Sequence, residues 1–330
     1  MQRQLGEREI IRVLTGIYGK GSKLPLGFDD DVAAIPINSR NWVILKSDML
    51  VGNTDVPRGM SLWQAARKAI VATVSDFAAK GVKPRALMVS LGIPKSFGKK
   101  EVEQIGQGLA KGSTEYNCRI IGGDTSESEG LTIDCIGAGM SEPSRIIRRS
   151  GATPDDIVAV TGSFGSPAAG LRLLLSGRSP LGSVEQRLVE TVLLPKARLV
   201  EGLKLAQNRL ASSSIDSSDG LAWSLHEIAR CSKVGIGLDR VPVSPEAESH
   251  ARQTKTSSIE LALYGGEEYE LVITMKPSLF ARARQLVPSL IPIGRVGKGP
   301  ARVGASIGGR LVGVEPRGWE HFRTRVKFWE

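Results

Sequence analysis

The chain has 330 residues, of which 41% are hydrophobic and 24% charged, with a formal net charge of +10. That length exceeds one comfortable hydrophobic core and favours two domains, and the composition is that of a soluble globular protein. No apolar run approaches the ~20 residues that span a bilayer, the start Met1–Glu7 lacks an apolar signal core, and Cys118, Cys135 and Cys231 show no paired spacing. These features exclude a membrane span, a disulfide framework and a zinc site, and point to a reducing cytoplasm. The basic residues run from Lys99-Lys100 and Arg148-Arg149 to Arg317, Arg323, Arg325 and Lys327 without forming a tail. That dispersal reads as a solvated basic surface attracting small anions, and argues against a nucleic-acid partner.

In chain order, Leu5, Ile10, Ile11, Leu14 and Ile17 recur at helical spacing. Strand-like runs follow at Val32–Ile37 and Trp42–Lys46, parted by the turn residues Asn38-Ser39. Leu62, Ala65, Ala66, Ala69, Ile70, Val74 and Phe77 trace one face of a long helix that stops near Lys80-Gly81. Ala86–Ile93 predicts a strand, Lys100–Tyr116 a helix, and Arg119–Ile121 and Leu131–Ala138 two further strands. This order suggests a split βαβ sheet with helices on one face. Glycine, proline and charge dominate Ser141–Asp156, where the domain boundary is placed, giving units of about 1–143 and 150–330. The second half then predicts strand Ile157–Val160, helices at Pro167–Leu175, Val184–Val192, Ala197–Asn208 and after Asp219, strand Tyr269–Thr274, helix Ser278–Val287, and short strands near Ile293 and Val312. The fold class is α/β (α+β), with two α/β domains.

The chemistry-bearing residues are aspartates: Asp29-Asp30-Asp31, Ser47-Asp48, Ser75-Asp76, Gly122-Gly123-Asp124 and Asp216-Ser217-Ser218-Asp219 form five separated acidic nodes. Carboxylates gathered from distant points, with hardly any His or Cys nearby, suit hard oxygen-liganded cations, and Mg²⁺ is the usual choice beside phosphates. Each node also has a plain structural reading: a solvated acidic turn for Asp29–Asp31, a turn or cap aspartate for Asp48, a glycine turn after a strand for Gly122–Asp124. Asp76 sits near a helix end among alanines, where a buried carboxylate needs a partner. Asp216 and Asp219 stand at the mouth of a helix, and one acid would suffice for a cap. Thr161–Ser166 lacks the lysine of a Walker loop and reads as a tight strand-to-helix turn. His226 and His250 have no ligand partners at useful spacing.

Taken in order, these segments resemble the thiamine-monophosphate kinases, within the superfamily that includes aminoimidazole ribonucleotide synthetase and selenophosphate synthetase. The matching pieces are Asp30-Asp31-Val32-Ala33, Ser47–Val51, Val74–Gly81, Gly122–Thr125, Arg149–Ala152, Ile215–Leu221 and Gly265–Leu271, spread over nearly the whole chain. The last, Gly-Gly-Glu-Glu-Tyr-Glu-Leu, leans toward the kinase branch. The resemblance implies transfer of the γ-phosphoryl group of ATP to thiamine monophosphate, with ATP as co-substrate and several Mg²⁺ ions. It implies metal ligation by Asp31, Ser47, Asp48, Asp76, Asp124, Asp216 and Asp219, with Asp216 and Arg149 the catalytic pair. It implies nucleotide contacts from Tyr116, Gly123, Asp124, Arg149 and Ser218, and substrate contacts from Glu267 and Trp319. It also implies a homodimer joined through the N-terminal sheets, with the site between domains. Two positions depart from the pattern: Lys46 stands where a small hydroxyl residue is usual near a metal, and Asp55 falls near the usual histidine contact to substrate.

The chemistry agrees with that resemblance. A phosphate-monoester acceptor has a second pKa of about 6, so it is largely dianionic at neutral pH and needs no general base. It needs relief of repulsion between two anions, which metal ions and an arginine provide. Two alternatives stay open: another ATP-dependent enzyme of the superfamily, and a non-enzymatic RNA-binding module. The region Gly16–Gly27 lacks the reactive Cys of selenophosphate synthetases, and the chain end Lys327–Glu330 lacks the cysteine of the hydrogenase-maturation branch. An RNA module would leave the acidic nodes unexplained.

Overall fold

The structure, a computed structural model, describes residues 5–20 and 23–322. The first half comprises α1 (Glu7–Tyr18), β1 (Ala33–Pro36), β2 (Trp42–Val51), the single turn α2 (Gly52–Asp55), α3 (Leu62–Lys80), β3 (Pro84–Ile93), α4 (Lys99–Glu115), β4 (Arg119–Glu127) and β5 (Thr132–Ser141). After the connection comes β6 (Ile157–Val160), α5 (Ser166–Leu175), α6 (Gly182–Leu193), α7 (Leu199–Gln207), β7 (Ser213–Ser217), α8 (Leu221–Ser232) and β8 (Gly235–Leu238). The chain continues with α9 (Pro245–Thr254), α10 (Ser258–Tyr264), β9 (Glu270–Met275), α11 (Pro277–Leu286), β10 (Ile291–Gly297), β11 (Val303–Ile307) and β12 (Arg310–Gly313). Arg323, Arg325, Lys327 and the chain end lie outside the described residues.

The first sheet has the order β1-β2-β5-β3-β4, with β3 and β4 parallel around the α4 crossover and every other pair antiparallel. The alternation of each strand separates two faces. Leu50, Leu87, Val89, Ile133 and Cys135 point inward and are buried, whereas Ile35, Met49, Met88 and Met140 point outward and are exposed. The second sheet, β12-β11-β8-β10-β6-β9-β7, is antiparallel except for β8 and β11.

α3 joins the halves. Its start is closed by a capping box between Ser61 and Gln64, and its end by Gly81 at φ 64°. A Cβ on Gly81 would also lie 2.1 Å from the Cβ of Ala206 on α7, so the position admits no larger residue without movement. The sequence suggests one apolar face, yet the helix is buried on nearly every side, since it packs on β2, β5, α4, α7 and β7. One core cluster accordingly contains Ala69 and Leu87 from the first half together with Leu205, Leu271 and Ile273 from the second.

Several elements depart from the reading of the sequence. β4 runs through Gly122-Gly123-Asp124 instead of ending before them, because β3 lies close alongside: a Cβ on Gly123 would stand 1.8 Å from the Val89 carbonyl oxygen. β7 is missed because Ser213–Ser217 is mostly polar, although every residue of it is buried. β8, α9, α10 and β11 are short or polar enough to escape a periodicity test. The Thr161–Ser166 segment is the tight turn expected, with Gly165 at φ 98° opening α5.

Candidate active site

α3 carries a polar stripe. Lys68, Ala72, Asp76 and Lys80 recur every four residues and so share one side of the helix. Lys80 is fully buried; its Nζ contacts Asp30 Oδ1 at 2.7 Å, Asp31 Oδ2 at 2.6 Å and the Ser214 carbonyl at 2.8 Å. Asp30 and Asp31 of the acidic turn are therefore anchored to the helix end rather than solvated, whereas Asp29 is exposed beside Arg230. Arg149 completes the anchor, donating from Nε to Asp31 Oδ1 at 2.6 Å. Burial works to raise the Asp31 carboxyl, but Arg149 and Lys80 overcome it and hold the group below its ordinary range.

Asp31, Asp76 and Asp216 each offer a carboxylate oxygen, and these oxygens all lie within 4.8 Å of one another. Asp76 comes from α3, Asp216 from β7 and Asp31 from the turn before β1, so the cluster exists only because α3 packs on β7. Ser75 donates its hydroxyl to Asp216 Oδ2 at 2.8 Å. From β2, Lys46 Nζ reaches Asp76 Oδ2 at 2.8 Å, and Asp48 shares the same inward face. Burial, reinforced by the Asp31 charge, pushes Asp216 up to about 7. Burial likewise raises Asp219 to about 6, and it raises Asp76 well above its ordinary value with help from Asp216 and Asp48. A further cation near Asp216 and Asp219 would favour their charged forms, as a divalent metal site requires. The all-oxygen donor set fits a hard cation such as Mg²⁺.

Backbone bonds fix the second wall. Glu267 N donates to Ser218 O at 2.6 Å, Tyr269 N to Ser217 O at 3.0 Å, and Trp319 N to Asp219 O at 2.9 Å. Glu267 and Tyr269 sit at φ 64° and 53°, a conformation that costs non-glycine residues about 1–3 kcal/mol each and persists where the surroundings over-determine it. It aims three acids of one short segment differently. Glu267 pairs with the buried Lys68, Glu268 accepts from Gly165 N at 2.5 Å, and Glu270 binds Arg198 at 2.5 Å.

These elements enclose a cleft of about 640 Å³ lined by Asp48, Asp55, Asp76, Arg149, Asp216 and Asp219 among others. Ser218, Glu267 and Trp319 line the same cleft. Asp31 meets it through Arg149. Among the further lining residues that the sequence alone does not single out are Lys68, Arg8 and His321. Arg8 of α1 lies over the Trp223 ring, 2.9 Å from its centroid, and 3.6 Å from Glu320. His321 Nε2 stands 3.9 Å from Asp55 Oδ1, while its backbone N–H donates to Glu7 Oε2 at 3.1 Å. The imidazole thus stands beside Asp55, although the two residues are far apart in the chain. Lys68 carries a detectable signal, a lysine in four-residue spacing with Asp76 and Lys80 on one side of α3; His321 carries none without the fold.

The remaining candidates lie elsewhere in the single chain. Ser47 points to the outer face of the first sheet and donates to Asp134 Oδ1 at 2.7 Å. Gly123 and Asp124 are exposed on β4, Asp124 in register with Ser90 of β3. Tyr116 is buried at the end of α4, its hydroxyl accepting from Ala197 N at 2.9 Å. Strand alternation explains the split: adjacent Ser47 and Asp48 cannot share a face.

The family model for the AIR synthase related protein N-terminal domain matches residues 29–141. Among curated relatives, the thiamine-monophosphate kinase of Nitrosopumilus maritimus is 33% identical over 97% of this chain and 99% of that protein. The thiamine-monophosphate kinase of Pyrococcus horikoshii is 39% identical over 82% of this chain and 83% of its own length. Among solved structures, AaThiL complexed with AMPPCP and TMP superposes with a TM-score of 0.86 at 30% identity, covering 98% of this chain and 99% of that one. Likeness of this extent, in sequence and in the whole fold that builds the cleft, means that the chain belongs to the thiamine-monophosphate kinase family.

Proposed function

We propose that this chain transfers the γ-phosphoryl group of ATP directly to thiamine monophosphate, giving thiamine diphosphate and ADP, and that it does so with several Mg²⁺ ions as a homodimer. The observation that carries this reading is the convergence of Asp31, Asp76 and Asp216 beside Arg149, at the wall of one cleft, in a chain collinear with its kinase relatives. Asp31, Asp48, Asp76, Asp216 and Asp219 would hold the metal; when bound, it offsets the charge of the phosphates and of the phosphoryl group in transfer. Arg149, its side chain 22% exposed, presents a planar fork to phosphate oxygens once it leaves Asp31. No residue is needed to deprotonate the acceptor, which is already dianionic. Trp319 offers an indole face to the thiazolium cation, while Asp55 and Glu267 place negative charge in the same cleft.

The homodimer rests on the outer face of the first sheet. Ile35, Met49, Met88 and Met140 are 45–56% exposed there, an apolar patch of the kind that marks an interface. Covering it with a second copy would also enclose Ser47, Asp124 and Asp134, which a single chain leaves at its surface. Gly123 and Tyr116 are assigned to the nucleotide on the same reading. Residues 1–143 then form the nucleotide, metal and dimerisation unit and 150–330 the unit that completes the site. A cytoplasmic location belongs to this reading; among the described residues no helix is long and apolar enough to cross a membrane.

The deciding experiment is turnover with ATP, Mg²⁺ and thiamine monophosphate, run beside aminoimidazole precursors and selenide. ADP and thiamine diphosphate should form together, and excess EDTA should stop the reaction. ATP hydrolysis indifferent to thiamine monophosphate, or full turnover in EDTA, would refute the proposal.

A further inference from the structure

The carboxylates at the floor of the cleft already contain a cation that belongs to the chain. Asp31 is served from one side by Lys80 and Arg149, and Asp216 by the Ser75 hydroxyl. Asp76 is also served from β2. Among the described residues its ion-pair partner is Lys46, whose Nζ lies 2.8 Å from Asp76 Oδ2. Asp48 and Asp216 are the next carboxylates acting on that ammonium. Lys46 cannot turn away easily: β2 is held along its length by β5, and the strand pleat puts Lys46 and Asp48 on the inward face, toward α3. Its side chain is 25% exposed, and that exposure opens into the cleft it lines. An ammonium has three donors in a compact point charge, enough to bind Asp76 and still meet a second carboxylate and a phosphate oxygen. A divalent ion placed between Asp48 and Asp76 would compete with this fixed charge for the same oxygens.

We propose that the Lys46 ammonium occupies one cation position of the acidic cluster, so that this chain binds one divalent ion fewer than the same site with a small residue at position 46. The inference rests on the metal-dependent reading above and extends it to the number of ions. It carries two consequences. Part of the charge that offsets the phosphates is covalently attached and needs no free metal. The cluster also keeps one cation when nucleotide and metal leave, which limits carboxylate repulsion in the empty enzyme.

The test is Mn²⁺ binding to the full chain with a non-hydrolysable ATP analogue, counting bound ions per chain from the electron paramagnetic resonance signal of free Mn²⁺. Lys46→Ser should bind one ion more than the unaltered protein, and its rate should rise more steeply with free Mg²⁺, by one order in concentration. Lys46→Arg should keep the original count. Lys46→Gln, close in volume but neutral, gives the same reading as serine if the serine variant fails to fold, with near-ultraviolet circular dichroism as the check. Equal, non-zero counts in the unaltered and neutral variants would overturn this inference and leave the metal-dependent reading standing. No bound Mn²⁺ in any of them would overturn both. A count for Lys46→Arg that rises to that of serine would show that charge is not what excludes the ion.

Discussion

Asp216 illustrates how one carboxylate acquires its properties. Its ordinary value near 3.8 rises to about 7, first through burial and then through the Asp31 charge. A raised value in the folded state means that the native protein binds more protons than the unfolded chain between those limits, so this group's contribution falls as pH rises through that window. Asp216→Asn removes the effect. In metal-free protein the variant should gain in melting temperature over the unaltered chain as pH goes from about 4 to 7, while turnover is lost throughout. A large drop in its melting temperature at pH 7.5 would instead mean that the carboxylate has a structural task. Mg²⁺ must displace the same protons, so its affinity should climb across about pH 6–7, measurable by calorimetry in two buffers. Trp319→Ala should raise the KM for thiamine monophosphate by up to roughly thirty-fold and spare that for ATP, which corresponds to losing a cation–π contact of ~0.5–2 kcal/mol. His321→Ala should act in the same direction, since the imidazole lies beside Asp55 in the same cleft. Equal damage to both substrates with a lower melting temperature would make these residues anchors of the tail. Asp216 is legible in the sequence because a second acid three residues on exceeds what a helix cap needs. His321 is not legible, since nothing in its neighbourhood points to residue 55.

At the scale of elements, α3 does most to assemble the site. Its apolar spacing and its stop at Lys80-Gly81 are readable from the chain, and the polar stripe from Lys68 to Lys80 is visible in hindsight as a four-residue repeat. What the spacing does not reveal is that both sides of the helix are covered, so that a fully buried Lys80 must find carboxylates. Lys80→Met should therefore destabilise the protein by about 3–5 kcal/mol, because Asp30 and Asp31 lose a buried partner. Denaturant titration measures it, and a change below ~1 kcal/mol would mean that Arg149 alone suffices. β4 teaches the opposite lesson. Two adjacent glycines suggest a strand end, yet they mark a strand pressed against its neighbour.

At the scale of the molecule, the proposed dimer uses the exposed apolar face of the first sheet. Met88→Asp with Met140→Asp places charge in that face, and light scattering should then show a shift from dimer to monomer with the fold retained by circular dichroism. A monomeric unaltered protein would remove the dimer from the reading. The period of the long helices and of the apolar strands and the acidic nodes are local properties of the chain, set by side-chain spacing and turn chemistry, and the sequence by itself determines them. Which nodes meet is decided by packing. Asp31, Asp76 and Asp216 come together because α3 lies against β7, a strand whose burial owes nothing to its own polar residues. Ser47 and Asp124 are turned to the opposite face by the pleat of the sheet, and a strand places neighbours apart regardless of how well their residue types match. The same holds for Lys46: its charge is written in the sequence, and its position among the carboxylates follows from the register of β2 on β5 and the approach of α3.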